Sequence, residues 1–254
     1  MREETTLSQK YSENAEIRVL LERLPEVFRR NEGELVYDER NKIRRITLSD
    51  GNHVIVKKYK KPNLFQRICY STLWSNKAKK AFLYGNRLLF LGIDTPEPIA
   101  CVTYYNCIGM VEEYYFLSTE DTRPDCRILR DGNMDNPQPL IDALSQYLIF
   151  LHQQGFLHGD TNLSNFLYEK KADGTYHFAV IDTNRSRFKH RPATKKEALS
   201  NLVRITHDRR LLSAIVHSYA TQRGWDAGQA VHYVLNQIEK RERRKHFIKR
   251  LRGK

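Results

Sequence analysis

Four residues of this sequence have the types and the spacing that phosphoryl transfer requires. Asp160 and Asn165 lie in one polar segment, with four residues between them, after an apolar stretch that reads as a helix. Asp182 directly follows the apolar run 178–181, and Lys57 ends a run of β-branched residues. Phosphoryl transfer needs metal ions and a cation that neutralise phosphate charge, and a carboxylate that orients the attacking hydroxyl. Two Asp, an Asn and a Lys supply these groups.

Each of the four signals matches a part of a kinase active site. The Asp-x-x-x-x-Asn spacing is that of a catalytic loop, in which Asp160 would receive the hydroxyl proton and Asn165 would hold a metal ion. Val54 to Lys57 matches the Val-Ala-Ile-Lys strand whose lysine binds nucleotide phosphates. A carboxylate at the end of a buried strand, such as Asp182, can bind Mg²⁺. Taken singly, Asp182 could equally start a turn and Lys57 could belong to a basic edge strand; their order along the chain favours a kinase.

The elements that must position these residues are strands first and helices later. Apolar and β-branched runs predict strands, with Asp50-Gly51 as a hairpin turn, at 34–37, 42–48, 53–59, 99–105 and 109–117. Helical spacing predicts helices at 77–91 and 139–154, a small strand pair at 166–168 and 177–181, and helices after Lys195 with a break at Gly224. The first 20 residues are expected to form a loose arm or a short helix.

This order predicts an α+β fold with two lobes, like that of protein kinases, because strict βαβ alternation is missing. We expect residues 1–117 to form an N-terminal lobe with an arm, a mixed or antiparallel sheet and one helix. Residues 118–254 are expected to form a mostly helical C-terminal lobe that carries the catalytic loop and a basic tail.

Composition restricts the class of protein. The chain lacks an apolar run of membrane-spanning length and an apolar secretion signal at its N-terminus, which predicts a cytoplasmic protein. Cys69, Cys101, Cys107 and Cys126 show no metal-ligand spacing and are expected to be reduced thiols. A net charge of +13, concentrated at 57–61 and in the tail 240–254, attracts polyanions such as nucleic acid, an anionic membrane or a phosphorylated glycolipid. A solvated face is the alternative interpretation of the tail.

Two stretches resemble one family. His158 to Leu167 (HGDTNLSNFL) and Val180 to Arg185 (VIDTNR) are similar to the lipopolysaccharide core kinases, the Kdo/heptose kinase family of Gram-negative bacteria. The segments 57–63 and 91–100 favour the same group, and the resemblance extends from about Glu34 to Phe188. The His-Gly-Asp form also occurs in aminoglycoside phosphotransferases and in small atypical kinases.

The resemblance implies an ATP-dependent kinase that phosphorylates a sugar, Kdo or heptose, of the lipid A-linked inner core. It implies Asp160 as catalytic base, Asn165 and Asp182 as Mg²⁺ ligands, and Lys57 as the phosphate-binding lysine, with ATP and Mg²⁺ as cofactors. It also implies work at the cytoplasmic membrane face, where the basic tail could bind acidic headgroups as a peripheral membrane protein.

The sequence departs from the kinase pattern in three places. Residues 33–46 hold no Gly-x-Gly-x-x-Gly, so the loop that covers the phosphates is expected around 38–42. The helix 77–91 contains no acidic residue to pair with Lys57, and Leu83 stands about where family members carry one. Asn184 occupies the position of the Gly in Asp-Phe-Gly. A weakly active pseudokinase therefore stays open as an alternative.

Other interpretations concern single residues and competing functions. Arg185 and Arg187 could hold an anionic acceptor, or could belong to an ordinary surface loop. His158 is expected to steady the catalytic loop by hydrogen bonding. The competing functions are a phosphotransferase on another small-molecule or protein acceptor, and a nucleotide- or nucleic-acid-binding module. The positive charge argues against a cationic antibiotic as acceptor, and the tail has few aromatics for stacking on nucleic acid.

Overall fold

The computed structural model of the protein describes residues 2–64, 66–67, 70, 75–132 and 134–251, and for residues 245 and 249–251 the backbone alone. The chain divides into two compact units, residues 1–122 and 123–254. The expectation for Cys69 falls outside the described residues. Cys101 and Cys126 are buried and Cys107 is exposed, each as a free thiol.

The N-terminal unit is built on one six-stranded sheet. Its strands, in chain order, are β1 (Arg2–Leu7), β2 (Glu34–Asp38), β3 (Asn41–Thr47), β4 (His53–Tyr59), β5 (Pro98–Tyr105) and β6 (Val111–Thr119). In space they follow the order β1-β5-β6-β4-β3-β2, and every neighbouring pair is antiparallel. The five strands expected from the sequence are confirmed. β1 is new: part of the expected arm forms an edge strand.

Helices cover both faces of this sheet. The helices are α1 (Ala15–Glu22), α2 (Leu24–Arg29) and α3 (Lys77–Phe90), so the one helix expected, α3, is joined by two more. Because side chains alternate along a strand, β4 sends Val54 and Val56 into a core with α1 and α2, and Tyr59 into a second core with α3. Asn76 caps α3 and also donates from its side chain to Thr103 Oγ1 of β5 at 2.7 Å.

The C-terminal unit is mostly helical, as expected. Its helices are α4 (Ile128–Asp131), α5 (Gln138–Gln153), α6 (Lys195–Leu202), α7 (Arg209–Gln222) and α8 (Ala227–Leu251). The strands are β7 (Phe156–Leu157), β8 (Phe166–Lys170), β9 (Tyr176–Val180) and β10 (Arg187–Phe188), which pair antiparallel as β7 with β10 and β8 with β9. α5 packs on α7 and α7 on α8, and the expected break falls at Gly224, with φ of 65°.

Within the described residues, no helix combines the length and the apolar character needed to cross a membrane.

Candidate active site

The catalytic loop leaves α5 through a turn that only glycine can make. Gly155 has a φ of 72°, and a Cβ there would lie 2.6 Å from the carbonyl oxygen of Lys189 and 2.7 Å from that of Arg191. The chain then enters β7, which pairs with β10 on the far side of Asp182. The two segments that carry the predicted acidic residues are therefore joined by backbone hydrogen bonds at their outer ends.

His158 joins the same two segments at their inner ends. Its ring is 2% exposed, accepts at Nδ1 from the backbone N–H of Asp160 at 3.1 Å and donates from Nε2 to the carbonyl of Ile181 at 2.9 Å. Burial lowers the pKa of this imidazole, because charge is costly to bury, and both hydrogen bonds suit the neutral ring. The geometry agrees with a loop-steadying residue, as expected from the sequence.

The structure brings Asp160 and Asn165 together. Asn165 donates from Nδ2 to the backbone carbonyl of Asp160 at 2.8 Å. This bond uses the amide nitrogen, so the amide oxygen Oδ1 is the atom left for a metal ion. The Asp160 carboxylate is half-buried, and its Oδ2 lies 3.3 Å from Nη1 of Arg185.

Asp182 lies beside this pair. The N–H of Ile181 donates to the carbonyl of Asn165 at 3.0 Å, which fixes the chain immediately before Asp182. Asp182 itself is exposed and left-handed, with φ of 52° and ψ of 51°, a conformation that an L residue adopts at a cost of about 1 kcal/mol or more and that clusters at functional sites. The strain directs a carboxylate out of the chain at the end of a buried strand.

These two residues suit a Mg²⁺ ion that completes its shell with phosphate oxygens and water. An amide oxygen and a carboxylate are hard oxygen ligands, which Mg²⁺ prefers. Across the part of the chain that the structure describes, no group of three or more His, Cys, Asp and Glu side chains could hold a metal ion on its own. A Mg²⁺ ion held by Asn165 and Asp182 would take its remaining ligands from nucleotide phosphates and water.

Gly159 is a site residue that sequence reasoning did not single out. A Cβ at this position would lie 1.9 Å from the carbonyl oxygen of Arg185, so the two backbones touch there. Only glycine allows this approach, which holds Arg185 against the Asp160 carboxylate. The signal in the sequence was the glycine inside the His-Gly-Asp motif.

A second unforeseen feature is a buried chain of polar side chains beneath the loop. Asn201 of α6 donates to the carbonyl of His158 at 2.7 Å and accepts from Nε2 of His152 at 3.1 Å. His152 accepts at Nδ1 from the hydroxyl of Tyr219 at 2.8 Å. Thr161, next to Asp160, donates to the backbone carbonyl of Asn201 at 2.7 Å. The loop is thereby tied to three helices by side chains that are distant in sequence.

In the N-terminal unit, the alternation of side chains along β4 places two adjacent lysines on opposite faces of the sheet. Lys57 shares the sheet face of Tyr59 and α3, with Nζ 5.4 Å from the Tyr59 ring centre. Lys58 points to the opposite face, where it pairs with Glu113 at 2.7 Å and lies over the Phe28 ring. The lysine chosen from the sequence is thus the one on the face of α3.

The segment around 38–42, which the sequence predicts to cover the nucleotide phosphates, is a tight hairpin. β2 and β3 are joined across Glu39 and Arg40, and Asp38 pairs with Lys42 at 3.2 Å. This hairpin occupies the place where the sequence led us to expect a substitute for a glycine-rich loop. In α3, Leu83 is 48% exposed, so an acid at that position would lie on the outer face of the helix.

The two arginines after Asp182 are both exposed. Arg185 contacts Asp160, as described, and both Arg185 and Arg187 line a cavity of about 520 Å³ in the C-terminal unit. The structure therefore places them beside the catalytic loop.

Comparison with known proteins agrees with the motifs. The model of the lipopolysaccharide kinase (Kdo/WaaP) family matches residues 130–228, which include the catalytic loop and Asp182. No curated protein matches the sequence significantly. A structure of WaaP in complex with acyl carrier protein aligns with a TM-score of 0.57 at 17% identity, covering 94% of this chain and 99% of that one. The Rio2 kinase–ADP/Mg²⁺–phosphoaspartate complex from Chaetomium thermophilum aligns with a TM-score of 0.48 at 15% identity, over 89% and 77% of the two chains.

At 17% identity the likeness to WaaP establishes the fold, which is the kinase-like α+β fold predicted from the sequence. The family model covers residues 130–228, which include the segment predicted to be catalytic. The resemblance drawn from the motifs is thus confirmed: over residues 130–228 the chain is similar to the lipopolysaccharide kinase (Kdo/WaaP) family, and the family model and the fold together support a kinase.

Proposed function

We propose that this protein transfers the γ-phosphoryl group of ATP to a hydroxyl of a Kdo or heptose sugar in the lipopolysaccharide inner core. The observation that carries the proposal is the hydrogen bond from Asn165 to the Asp160 backbone beside Asp182. This bond joins the proposed base to one proposed oxygen ligand, and the backbone bond from Ile181 to Asn165 holds the segment of Asp182 beside them. The family match supports the sugar acceptor.

Asp160 is the base in this proposal. The acceptor oxygen forms a bond to the γ-phosphorus while the bond from that phosphorus to the β–γ bridging oxygen breaks, and ADP leaves. The hydroxyl proton passes to the Asp160 carboxylate, which Arg185 holds through Oδ2. Orientation of the hydroxyl is the larger part of its contribution, since phosphoryl transfer depends mainly on positioning.

Asn165 and Asp182 are the proposed Mg²⁺ ligands, through the amide oxygen and the carboxylate. The ion would neutralise charge on the nucleotide phosphates. The left-handed backbone of Asp182 and the fixed amide of Asn165 prepare both ligands before any nucleotide arrives.

Lys57 is the proposed cation for the α- and β-phosphates. The register of β4 with β3 and β6, which sets Lys57 opposite Ile43 and Phe116, supports this role over the neighbouring Lys58. We assign the hairpin around Glu39 and Arg40 to the nucleotide-covering segment.

The proposed place of action is the cytoplasmic face of the membrane. The end of α8 presents exposed cations at Lys240, Arg243 and Arg244 together with Phe247, which is 63% exposed, and Ile248, 38% exposed. Cations beside exposed apolar side chains suit an anionic bilayer surface.

Vesicle binding tests the membrane proposal. The double variant Arg243→Gln/Arg244→Gln should bind phosphatidylglycerol vesicles roughly tenfold or more weakly, since each surface cation contributes about 1 kcal/mol. The variant Lys170→Gln/Lys171→Gln, which loses the same charge from the turn after β8, is the control and should bind as the parent does. Equal binding of both variants would refute the surface assigned to α8.

The experiment for the catalytic proposal uses γ-labelled ATP, Mg²⁺ and Kdo–lipid A. Asp160→Ala should lower label transfer by about 10²–10⁴-fold, the usual contribution of a positioned general base. Asp173→Ala, in the exposed turn between β8 and β9, removes a carboxylate that bonds only to nearby Thr175 and should leave transfer unchanged. No transfer by the parent protein despite bound Mg²⁺-ATP would indicate another acceptor or a pseudokinase. No nucleotide binding would overturn the proposal.

A further inference from the structure

A cavity of about 520 Å³ opens beside the catalytic loop, entirely within the C-terminal unit. Gly159 and Thr161, the two neighbours of Asp160, line it, as does Arg185, which holds the Asp160 carboxylate. The volume lies within the roughly 300–1,000 Å³ of small-molecule sites and would accommodate a sugar ring with its substituents.

The charge of this cavity is strongly one-sided. Its lining includes six cationic side chains, from Arg185, Arg187, Lys189, Lys196, Arg204 and Arg241. The one acid among its lining residues, Glu197, already accepts hydrogen bonds from Arg191 and lies 3.3 Å from Lys189. The cations therefore outnumber the charge available to balance them inside the cavity.

The cations come from four separate elements, so their convergence is a property of the fold. Arg187 follows Asp182, Lys196 lies on α6, Arg204 follows α6, and Arg241 lies on α8. Among the described residues, Arg187, Lys196 and Arg241 form no ion pair with an acidic side chain. A solvated face would scatter such charges over the surface, whereas here they border one cavity.

Two of the arginines that border this cavity are Arg204 and Arg241. Arg204 donates from Nη1 to the carbonyl of Gly159 at 3.4 Å, which places it at the edge of the catalytic loop. Burial and the positive charge of Arg204 together lower the pKa of Arg241. Like charges kept together cost free energy that a bound anion would recover, and arginine binds carboxylate and phosphate groups with paired hydrogen bonds.

We propose that this cavity binds an anionic group of the acceptor, a carboxylate or a phosphate, and thereby presents the neighbouring hydroxyl to Asp160. The inference rests on the proposed function and adds its specificity: Arg187, Lys196 and Arg241 select an acceptor that carries this anionic group over one that lacks it. Arg185 and Arg204, which touch the catalytic loop, align that anion with the base.

The test compares kinetic constants of Lys196→Gln and Arg241→Gln on Kdo–lipid A. We expect each substitution to raise the KM for the acceptor about tenfold, as expected for the loss of one charge-assisted contact, and to leave kcat and the KM for ATP unchanged. The matched controls are Lys195→Gln, whose lysine stacks on Trp225 outside the cavity, and Arg210→Gln, an exposed arginine of α7. Both should keep the parental KM.

Two modified acceptors identify the anion. If the carboxylate is bound, reducing the carboxyl group of the acceptor to an alcohol abolishes the difference in acceptor KM between the parent and the two variants. An acceptor that lacks the lipid A phosphates keeps this difference. If a phosphate is bound, the acceptor without lipid A phosphates loses the difference in KM, and the acceptor with the reduced carboxyl group keeps it. An unchanged acceptor KM in Lys196→Gln and Arg241→Gln would overturn the inference while the kinase proposal stands.

Anion binding is measured in a separate experiment, so that the cavity can be tested even if the protein transfers no phosphate to Kdo–lipid A. With saturating Mg²⁺-ADP present, inorganic phosphate should raise the Tm of the parent and of Lys195→Gln, and should raise it clearly less in Lys196→Gln and Arg241→Gln. Equal shifts in all four proteins would refute an anion site in this cavity, whatever the acceptor proves to be.

Discussion

The catalytic loop and the strand that carries Lys57 are positioned in different ways. Around the loop, buried polar groups bond to one another: His158 spans two backbone segments, and Asn201 supports it from α6. Lys57 is set by strand register and by the apolar packing of its neighbours Val56 and Tyr59. Directional hydrogen bonds, which few substitutions can replace, thus fix the position of the loop. The alternation of side chains along β4 fixes the face of the sheet on which Lys57 lies. The predictions below test this difference.

The largest effect is expected from the two adjacent lysines. Lys57→Gln should lower kcat/KM by roughly 10²–10³-fold, the usual cost of removing one preorganised electrostatic group. Lys58→Gln should leave kcat/KM close to the parental value and lower the free energy of unfolding by up to about 1 kcal/mol, because Glu113 loses its cationic partner and keeps only the Tyr115 hydroxyl. Kinetics and urea unfolding of both variants check the pair. Loss of activity in Lys58→Gln alone would reverse the assignment of the two faces.

Gly159→Ala should lower kcat by about 100-fold, since the added methyl group meets the Arg185 carbonyl and displaces the base by a fraction of an ångström or more. Gly228→Ala is the control. Its new Cβ would lie 3.4 Å from a side-chain oxygen of Asp226, an ordinary contact within a helix, and activity should be unchanged. A fully active Gly159→Ala would show that the loop tolerates movement, and would contradict a loop position fixed by directional hydrogen bonds.

The smallest expected effect is a change in the pH dependence of stability. Burial lowers the pKa of His152 from 6.5 to about 4. Between these values the unfolded chain binds a proton at this residue and the folded protein does not, so the free energy of unfolding falls as the pH drops, by at most about 1.4 kcal/mol per pH unit from this group. Above pH 6.5 the group contributes no slope.

His152→Gln removes this titration and should flatten the slope between pH 6.5 and 4, although its stability at pH 7 also falls. His217, an exposed histidine of α7, supplies the control variant His217→Gln, which should keep the parental slope. Denaturant unfolding at several pH values measures both. An unchanged slope in His152→Gln would mean that the pKa of this imidazole is nearly the same in the folded and the unfolded protein.

Turns, strands and helix ends that depend on local sequence patterns could be predicted from the sequence. The Asp50-Gly51 turn, the five strands and the break at Gly224 are short-range signals, and the structure confirms them. The order of motifs led to the kinase fold, which the comparisons confirm. The roles assigned to Asp160, Asn165, Asp182 and Lys57 remain predictions.

The features that escaped prediction depend on contacts between distant residues. Asn201 reads as an ordinary polar residue of a helix, and its bond to His158 spans 43 positions. Residues 2–7 carry charges and threonines without an apolar face, and they form a strand only because β5 offers them an edge. Arg241 looks like one cation of a basic tail until α8 brings it to the cavity at the catalytic loop.

The pairing of β1 with β5 has a consequence for how the N-terminal unit is made. Arg2 pairs with Tyr105 and Leu7 with Ala100, so the sheet cannot complete this edge until β5 has been synthesised. At a translation rate of about 5–20 residues per second, residues 2–7 wait several seconds or longer for their partner. During that interval residues 2–7 form no part of a sheet and remain an unpaired strand of the kind that pairs with other chains. A chaperone that protects this segment during synthesis would therefore act on residues 2–7.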